Sequence, residues 1–498
     1  MRTVTRSSRR KLFVVTLGIT VLMWMTTDPA AAQWEPELRL TEAPDSSQTS
    51  GHFNSLAVSG DTVHIVWADK RSGNWEIYYR RSVDDGVHWG EEVLLSANGP
   101  NRLPYRSLPS LAVSGATVHV VWHNDRTGNY ELYYRRSMDG GDTWSAEECL
   151  SYDMIWSWVP SIAVLGSTVH LAWSDRRDGN FFTLYYKRST DDGYSWSEAR
   201  RLSGNSTPGH AQSPRVNVSD ARLYVTWHYW MLGRWNASYR VSVDGGDTWW
   251  DENNPADDPE DTDGLTVRQS NPYLYYFWAE KTSDMWNLHY RYSADAGLRW
   301  KPEMSLRLQQ LDYLYFSCSV TGTTIHLVWK DDMNGFGIIQ YARSTDFGES
   351  WEESTDISPL PTGANWPSVA LNGSTVHVLW TDYRDGAGEV YYRRNPTGNP
   401  VSAGNGAAAL PADLTLEQNY PNPFRRSSSI RFTLPVRGQV VLTLHDLLGR
   451  QVATVLDAEY QAGTHHARIE ADRMPAGSYL IRLSSGGAQR TRLLTVFR

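Results

Sequence analysis

The stretch Ser137-Met-Asp-Gly-Gly-Asp-Thr-Trp144 is one of six copies of the pattern Ser-x-Asp-x-Gly-x-x-Trp. The copies span residues 82–89, 137–144, 189–196, 242–249, 293–300 and 344–351. Their first residues lie 55, 52, 53, 51 and 51 positions apart, and short strand-like segments fill the intervals. A period near fifty residues made of strands is typical of a β-propeller, in which each repeat forms one four-stranded blade.

The segments around each copy alternate apolar and polar residues and end at Gly, Asn or Asp turns, as strands do. In the second repeat they predict strands at 110–114, 117–122 and 131–135, and an outer strand at 147–151. The tryptophan that ends the second strand occurs seven times, once more than the Ser-x-Asp-x-Gly-x-x-Trp pattern, which is called the box below. These residues are Trp67, Trp122, Trp173, Trp227, Trp278, Trp329 and Trp380. The chain therefore contains a seventh repeat without a box.

This seventh repeat covers residues 368–394, and at 395–399 it reads Asn-Pro-Thr-Gly-Asn in place of the box. The segment Trp34–Thr41 matches the box tryptophan and outer strand of the other repeats. We predict that it completes the last blade, because a closed ring hides strand edges that an open array would expose. The predicted fold is all-β, with a seven-bladed propeller over residues 33–394; a six-bladed propeller is the alternative.

The repeated pattern resembles the Asp-box, or BNR repeat, of bacterial sialidases and related propellers. The resemblance implies that each box lies at the turn between the third and fourth strands, where Ser and Asp bind backbone donors and Trp packs between blades. Because a residue repeated in every blade cannot be a single catalytic centre, we interpret the box residues as structural. They are Ser82, Asp84, Gly86, Trp89, Asp139, Trp144, Asp191, Trp196, Asp244, Trp249, Asp295, Trp300, Asp346 and Trp351.

Sialidase-like activity is one hypothesis for such a chain. The resemblance implies a Phe/Tyr-Arg-Ile-Pro segment in the first blade, three arginines that hold the substrate carboxylate, a Tyr-Glu pair and a loop Asp, usually on six blades. The first inner strand reads His52-Phe-Asn-Ser-Leu-Ala-Val58 instead, and the nearest look-alike, Arg102-Leu-Pro-Tyr105, follows the first repeat. The Glu and Tyr residues at 76–79 recur at 131–134, which favours a structural role. The sialidase catalytic residues are therefore not recognisable.

A second pattern marks the hairpins between the second and third strands, on the face opposite the boxes. Four hairpins contain an arginine two residues after an Asp or Asn: Arg71, Arg126, Arg177 and Arg384. If the ring closes, these hairpins are neighbours and their guanidinium groups could bind the carboxylate of an acidic sugar. The alternative is that each arginine pairs with the acid of its own hairpin as part of the turn.

Aromatic residues are abundant in the loops of the same face, and such residues suit stacking on the apolar faces of sugars. One group recurs after the hairpin turns and favours packing: Trp75, Tyr130, Phe181, Trp235 and Trp286. A second group is not repeated: Tyr105, Trp156, Trp158, Tyr313, Tyr315 and Trp366. Residues that are not repeated are the better candidates for ligand binding, and Trp156 and Trp158 are the first of them.

No cofactor is predicted. The acidic segment 251–264 could hold calcium, whose sites are made of oxygen ligands, but it lacks the spacing of a defined calcium loop. Five histidines share one repeated strand position and are interpreted as structural: His64, His119, His170, His326 and His377. Cys149 and Cys318 fall in different repeats, so a disulfide is not implied.

The first 32 residues resemble a cleaved secretory signal peptide. Five basic residues precede an apolar run at 12–25, and Ala30-Ala31-Ala32 supplies the small residues of a cleavage site. Cleavage would change the formal net charge from −9 to −13, since five basic residues and one acidic residue leave. This charge excludes nucleic acid as a favoured partner. No later run is long enough for a transmembrane helix.

The composition changes at residues 395–412 to uncharged Gly, Ala, Pro, Asn and Ser, as in a linker. Beyond it, alternating strands with Gly turns predict a small immunoglobulin-like β-sandwich over 413–498. This part, from Leu416-Glu-Gln-Asn-Tyr-Pro-Asn-Pro-Phe424 to Ala476-Gly-Ser-Tyr-Leu-Ile-Arg-Leu483, resembles the C-terminal sorting domain of type IX (Por) secretion cargo. The resemblance implies export through the periplasm, contact with the secretion machinery, and anchoring at the outer-membrane surface or release.

Three functions remain open from the sequence. The first is an exported propeller that binds glycans or another extracellular partner. The second is a sialidase-like or other exo-acting glycosidase, which needs two carboxylates about 5–9 Å apart that we cannot nominate. The third is a scaffold for protein contacts.

Overall fold

The computed structural model describes residues 34–497 apart from short gaps. The gaps are 43–45, 50–53, 97–106, 152–155, 180, 204–209, 220–221, 232–233, 254–261, 283–284, 296, 298, 311–313, 334–335, 360–362, 399–413, 417–418, 420–421, 423, 425–426, 448, 461–462 and 472–473. The predicted signal peptide and residues 399–412 of the predicted linker lie outside the described residues. All regular elements within them are β-strands, which confirms the all-β prediction.

Seven sheets follow one another before residue 396 of the described chain. The first strand is β1 (Leu38–Arg39). Sheet 1 contains β2 (Ser47–Gln48), β3 (Leu56–Ser59), β4 (Thr62–Asp69), β5 (Glu76–Ser82) and β6 (Val93–Leu94). Sheet 2 contains β7 (Ser110–Ser114), β8 (Thr117–Asn124), β9 (Glu131–Ser137) and β10 (Glu148–Cys149), and sheet 3 contains β11 (Ser157–Leu165), β12 (Thr168–Asp175), β13 (Thr183–Ser189) and β14 (Arg200–Arg201).

The remaining sheets of this part follow the same order. Sheet 4 contains β15 (His210–Ser219), β16 (Arg222–Met231) and β17 (Arg234–Ser242), and sheet 5 contains β18 (Thr262–Ser270), β19 (Tyr273–Thr282), β20 (Met285–Ser293) and β21 (Met304–Gln310). Sheet 6 contains β22 (Phe316–Thr321), β23 (Thr324–Met333), β24 (Phe336–Ser344) and β25 (Thr355–Asp356). Sheet 7 contains β26 (Asn365–Asn372), β27 (Thr375–Asp382), β28 (Glu389–Asn395) and the N-terminal β1.

The sheets are arranged in a ring. The inner strands contact one another in the order β3, β7, β11, β15, β18, β22, β26 and back to β3. The ring joins the two ends of this part of the chain, because β1 pairs with β28 through Leu38 opposite Tyr392 and Arg39 opposite Tyr391. This is the pairing predicted for the Trp34 segment. The inner strands surround the axis and the short outer strands form the rim.

The apolar cores lie between neighbouring sheets. Each of the second-strand tryptophans is at least 95% buried, for example Trp67 and Trp380, which have no exposed surface. The cluster between sheets 1 and 2 joins β4 and β5 to β7 and β8, and a separate cluster joins sheet 7 to sheet 1. Burial of apolar surface contributes about 25 cal/mol per Å² to stability. These seams, the apolar contacts between neighbouring sheets, are therefore the main source of stability.

The hairpins between second and third strands are of two kinds. In sheets 1, 2, 3 and 7 the two strands have 8 and 7 residues and a longer turn joins them. In sheets 4, 5 and 6 they have 10 and 9 residues. Residues 62–82 and 222–242 nevertheless span the same number of residues, because the longer strands are joined by a shorter turn. Strand pairing therefore continues closer to the hairpin tip in sheets 4, 5 and 6.

The C-terminal part contains two sheets that share one apolar core. One sheet consists of β29 (Thr415–Leu416), β30 (Ser427–Leu434) and β33 (Gly463–Glu470), and the other of β31 (Gly438–His445), β32 (Gln451–Tyr460), β34 (Gly477–Ser485) and β35 (Ala488–Val496). Leu434, Leu442 and Ile481, all fully buried, belong to the core between them. Across the described residues no helix is long and apolar enough to span a membrane.

Candidate ligand-binding cleft

The boxes lie at the turns that follow the third strands. In each copy the Ser hydroxyl donates to the Asp carboxylate over 2.7–2.8 Å and accepts the N–H of the box Gly over 2.7–2.8 Å. The Asp also accepts the N–H of the residue four positions on. Hydrogen bonds from Ser189 and Ser195 hold the pKa of Asp191 at about 2. Each carboxylate is therefore hydrogen-bonded within its own turn.

The box tryptophans pack across the seams between sheets. Trp144 packs edge-on against Tyr79 of the preceding sheet, with ring centroids 4.8 Å apart, and Trp89 of sheet 1 packs in the same way against Tyr392 of sheet 7. Trp34 supplies the missing tryptophan of sheet 7 and packs against Tyr341 at 5.0 Å. In sheet 5 the geometry differs, because Trp300 stacks on Tyr276 of its own sheet.

The four hairpin arginines bind groups of their own sheets. Arg71 donates to both carboxylate oxygens of Asp69, over 2.9 and 2.6 Å, and to Glu92 over 2.6 Å. Glu92 immediately precedes the outer strand β6, so the guanidinium extends toward the rim. It also lies 4.4 Å from the centre of the Tyr78 ring. Arg71 is therefore held in the turn, as the alternative interpretation from the sequence expected.

The other three arginines have similar surroundings. Arg126 binds Glu147, which precedes β10, and lies 3.7 Å from the Tyr133 ring centre. Arg384 binds Asp382 and Glu37, the residue before β1. Arg177 donates to Asp175 over 2.7 Å. Each of the four arginines thus binds an acid of its own sheet, and ligand binding by these residues stays a prediction.

Trp156 and Trp158 lie in an aromatic cluster that spans sheets 2 and 3. Trp158 stacks on Tyr130 with ring centroids 5.9 Å apart and packs against Phe182 at 5.8 Å. Trp156 packs edge-on against Tyr130 at 5.5 Å, and the Arg176 guanidinium lies 5.4 Å from its ring centre. The cluster continues toward sheet 4 through Phe182.

An open cleft of about 440 Å³ adjoins this cluster on sheet 4 and is lined by His210, Gln212, Trp230 and Trp235. The register explains how they meet: His210 of β15 lies opposite Trp230 of β16, which lies opposite Trp235 of β17. Phe181, which is 52% exposed, packs edge-on against His210 at 5.1 Å. The hairpin of sheet 4, with its longer strands, and the hairpin of sheet 3 thus flank the aromatic cleft.

His210 is a neutral hydrogen-bonding group of the aromatic cleft. The Phe182 N–H donates to its Nδ1 over 3.3 Å, so the ring carries its proton on Nε2. Burial, followed by the charge of Arg176, lowers the pKa of His210. Gln212 adds an amide with two donors and an acceptor. Aromatic rings and neutral hydrogen-bonding groups are the components that sugar hydroxyls and sugar faces require.

The inner strands are distorted beside the axis at the same height. β15 carries a bulge between Gln212 and Arg215, and Ser213 has a φ of 51°. β11 has the same bulge at Val159, with a φ of 53°, and β26 has it at Trp366, with a φ of 52°. A positive φ is rare for Val and Trp, and such strain is concentrated at functional sites. Each residue precedes a proline, which is the signal that sequence analysis missed.

The remaining candidates lie elsewhere. Trp366 of sheet 7 packs against Tyr315 and Tyr383 and does not join the aromatic cleft. Tyr105 lies outside the described residues, as do residues 254–261 of the acidic segment proposed for calcium. Sequence analysis missed His210, Gln212 and Trp230, since nothing in their spacing shows that strand register brings them together with Trp235.

Comparison with known families identifies the C-terminal part. Residues 418–496 match the family described as the secretion system C-terminal sorting domain (Por_Secre_tail). The protein therefore carries a signal for type IX export to the cell surface or for release, as predicted. No curated protein matches the chain.

Solved structures share the fold at low sequence identity. A polysaccharide lyase of family PL25, an ulvan lyase, superposes with a TM-score of 0.54 at 9% identity, over 71% of this chain and 95% of the lyase. Polysaccharide lyase Uly1 has a TM-score of 0.50 at 10% identity, over 74% of this chain and all of the lyase. Trypanosoma rangeli sialidase has a TM-score of 0.43 at 11% identity, over 92% of this chain and 88% of the sialidase. At these identities the likeness to the two lyases describes the fold only.

Proposed function

We propose that the mature protein is an exported seven-bladed propeller that binds glycans in the aromatic cleft of sheets 3 and 4. Residues 33–394 would form the propeller, 395–412 the linker and 413–498 an immunoglobulin-like sorting domain that contacts the type IX machinery. Sheets 1 to 7 would be the seven blades, with the boxes as structural turns.

The observation that carries the proposal is the composition of the aromatic cleft. Trp230 is 41% exposed and Phe181 52%, although large rings are usually buried. The cleft volume of about 440 Å³ lies within the range of about 300–1,000 Å³ that small-molecule sites have. None of the described residues that line it is a carboxylate. A binding site is therefore favoured over a glycosidase site, which needs two.

The ligand class follows from the same groups. Exposed indole rings suit the C–H faces of pyranose sugars, and His210 and Gln212 suit their hydroxyls. The positive charge of Arg176 acts on His210, and such a charge also suits an acidic sugar. The two polysaccharide lyases with the same fold act on polysaccharides by name, so acidic polysaccharides belong in the test.

The test is a glycan array of neutral, sialylated and uronate-containing glycans, probed with the mature protein and followed by calorimetry. Trp235→Ala should weaken binding about 5-fold or more, since loss of the ring removes a stacking contact of about 1 kcal/mol. Trp250→Ala is the matched control, because Trp250 is 55% exposed but lies beyond the box end of the same sheet.

The other functions have distinct results. Release of product from a fluorogenic sialoside or from a uronate polysaccharide would show an enzyme and contradict the binding proposal. Absence of both binding and turnover would favour a scaffold for protein contacts.

A further inference from the structure

Sheet 5 brings together three side chains that can bind a metal ion. Glu280 of β19, His289 of β20 and Glu303, immediately before β21, each offer one ligand atom, and these atoms lie within 4.8 Å of one another. His289 Nδ1 is 2.7 Å from Glu303 Oε1, and Trp278 Nε1–H donates to Glu280 over 3.2 Å. Arg291 approaches Glu303 at 3.6 Å.

The same three positions in other sheets surround a cation. In sheet 1, Tyr78 pairs with Leu94, and in sheet 5, His289 pairs with Ser305, so Glu92 and Glu303 occupy equivalent positions. In sheet 1 the Arg71 guanidinium joins Asp69 and Glu92, at 2.6 Å from each. In sheet 7, Arg384 joins Asp382 and Glu37 in the same way. Sheets 1 and 7 thus place a positive group between a second-strand acid and an acid next to the outer strand.

Sheet 5 keeps the two acids but changes the groups around them. Its longer strand β19 has Thr282 at the position two residues after the acid, where sheet 1 has Arg71. The aromatic residue that faces the guanidinium elsewhere, Tyr78 in sheet 1, is His289 here. His289 stacks on Trp278 at 5.9 Å, as Tyr78 stacks on Trp67 at 5.9 Å. Sheet 5 therefore has an imidazole at the position of Tyr78 and has no arginine at the position of Arg71.

We propose that Glu280, His289 and Glu303 bind a divalent cation of the zinc type, which takes the structural role of the arginine in sheet 5. One imidazole and two carboxylates form a three-ligand set that suits zinc with water as the fourth ligand. Calcium favours six to eight oxygen ligands and no imidazole. Tetrahedral bonds of about 2.1 Å require donor atoms about 3.4 Å apart, so His289 Nδ1 and Glu303 Oε1 would move apart by about 0.7 Å, and more distant donor atoms would approach by up to about 1.4 Å.

The bound ion would connect β19, β20 and the outer strand β21, as Arg71 connects the strands of sheet 1. This inference is independent of glycan binding. It concerns the rim of sheet 5, whereas the aromatic cleft lies on sheets 3 and 4. Each proposal can therefore fail without the other.

The test is calorimetric titration of the mature, chelator-treated protein with Zn²⁺, together with its thermal unfolding. We expect one Zn²⁺ per chain and a higher Tm with Zn²⁺. His289→Gln and Glu303→Gln should each weaken binding at least 10-fold. Glu92→Gln is the matched control, because it changes the equivalent residue of sheet 1, and it should bind Zn²⁺ as the wild type does.

Absence of Zn²⁺ binding, or equal binding by the wild type and both variants, would overturn the proposal. Tighter binding of Ca²⁺ than of Zn²⁺ at this site would do the same. If a variant does not fold, the visible absorption spectrum of the wild type with added Co²⁺ tests the proposal instead. Intense visible absorption of tetrahedral Co²⁺ that Zn²⁺ abolishes supports the site, and its absence contradicts it.

Discussion

At the scale of single residues, the contacts between neighbouring sheets require a glycine beside a buried tyrosine. A Cβ on Gly141 would lie 2.1 Å from the Tyr79 hydroxyl, and one on Gly193 would lie 2.0 Å from that of Tyr134. The tyrosine is also fixed from its own sheet, since His64 Nδ1 lies 2.7 Å from the Tyr79 hydroxyl. The box glycine is thus required by the neighbouring sheet as well as by its own turn.

Gly141→Ala should therefore destabilise the protein more than a glycine change at another turn. Gly115→Ala is the matched control, because Gly115 has a φ of 59° but a Cβ added there would meet nothing within 4 Å. Gly115→Ala should lower the free energy of unfolding by about 1 kcal/mol, because it introduces backbone strain alone. We expect Gly141→Ala to cost at least about 2 kcal/mol more in chemical denaturation. Equal losses for the two variants would contradict the account of the seam.

The histidines of the seams give stability a pH dependence. Burial lowers the pKa of His64 and His170 to about 4 and that of His119 to about 3. Their pKa in the unfolded chain is about 6.5. The unfolded state therefore takes up protons first as the pH falls, so stability is fully present above about pH 6.5 and decreases toward pH 4.

Denaturation between pH 7.5 and pH 5, where carboxylates stay ionised, measures this loss. The free energy of unfolding can fall by at most about 1.4 kcal/mol per pH unit for each histidine. His170→Gln should reduce the slope relative to the wild type. A free energy of unfolding that stays constant over this range would show that the histidines do not titrate as described.

At the scale of elements, closure of the ring depends on the N-terminal strand. Trp34 packs against Tyr341 of sheet 6, and the Glu35 N–H donates to the Arg394 carbonyl over 3.0 Å. Arg394 also binds the Glu35 carboxylate and the Asp85 carbonyl of sheet 1. One short segment therefore connects sheets 6, 7 and 1.

Trp34→Ala should reduce the free energy of unfolding by about 2 kcal/mol, less than the 3–5 kcal/mol of a fully buried tryptophan because Trp34 is half-buried. Trp250→Ala, at an exposed site, should change it by less than about 0.5 kcal/mol. Urea denaturation of both variants measures the difference. Equal stability of the two would contradict closure through Trp34.

Sequence pattern predicted the elements better than the contacts between them. The box, the second-strand Trp67 and the Trp34 segment are visible because they repeat at one period, and repetition reports local structure. The hairpin acids Asp69 and Asp382 were expected partners of Arg71 and Arg384, but Glu92 and Glu37 were not predictable, since they are 21 and 347 residues away in the chain. The aromatic cleft was missed for the same reason, because it depends on strand register and on which sheets are neighbours.

At the scale of the whole molecule, the chain combines an acidic ring with a basic export domain. Residues 413–498 contain eleven arginines and seven acids, whereas the complete chain has a formal net charge of −9. The match of residues 418–496 to the sorting-domain family assigns export to this part. We propose that ligand binding belongs to the ring.

Deletion of residues 413–498 should keep the protein in the periplasm of its host, because the sorting signal is lost. Cell fractionation and surface labelling measure this outcome. The truncated protein should still bind the glycans that the mature chain binds, if the ring carries the aromatic cleft. Surface display of the truncated protein would contradict the assignment of export.

The central claim is that the aromatic cleft is the glycan site of the ring. A crystal structure of the mature protein with the glycan that binds most tightly on the array tests it most directly. We predict a sugar ring stacked on Trp230 or Trp235, with its hydroxyls bonded to His210 or Gln212. A sugar bound at the hairpin arginines, at Trp366 or on the box face would contradict the claim.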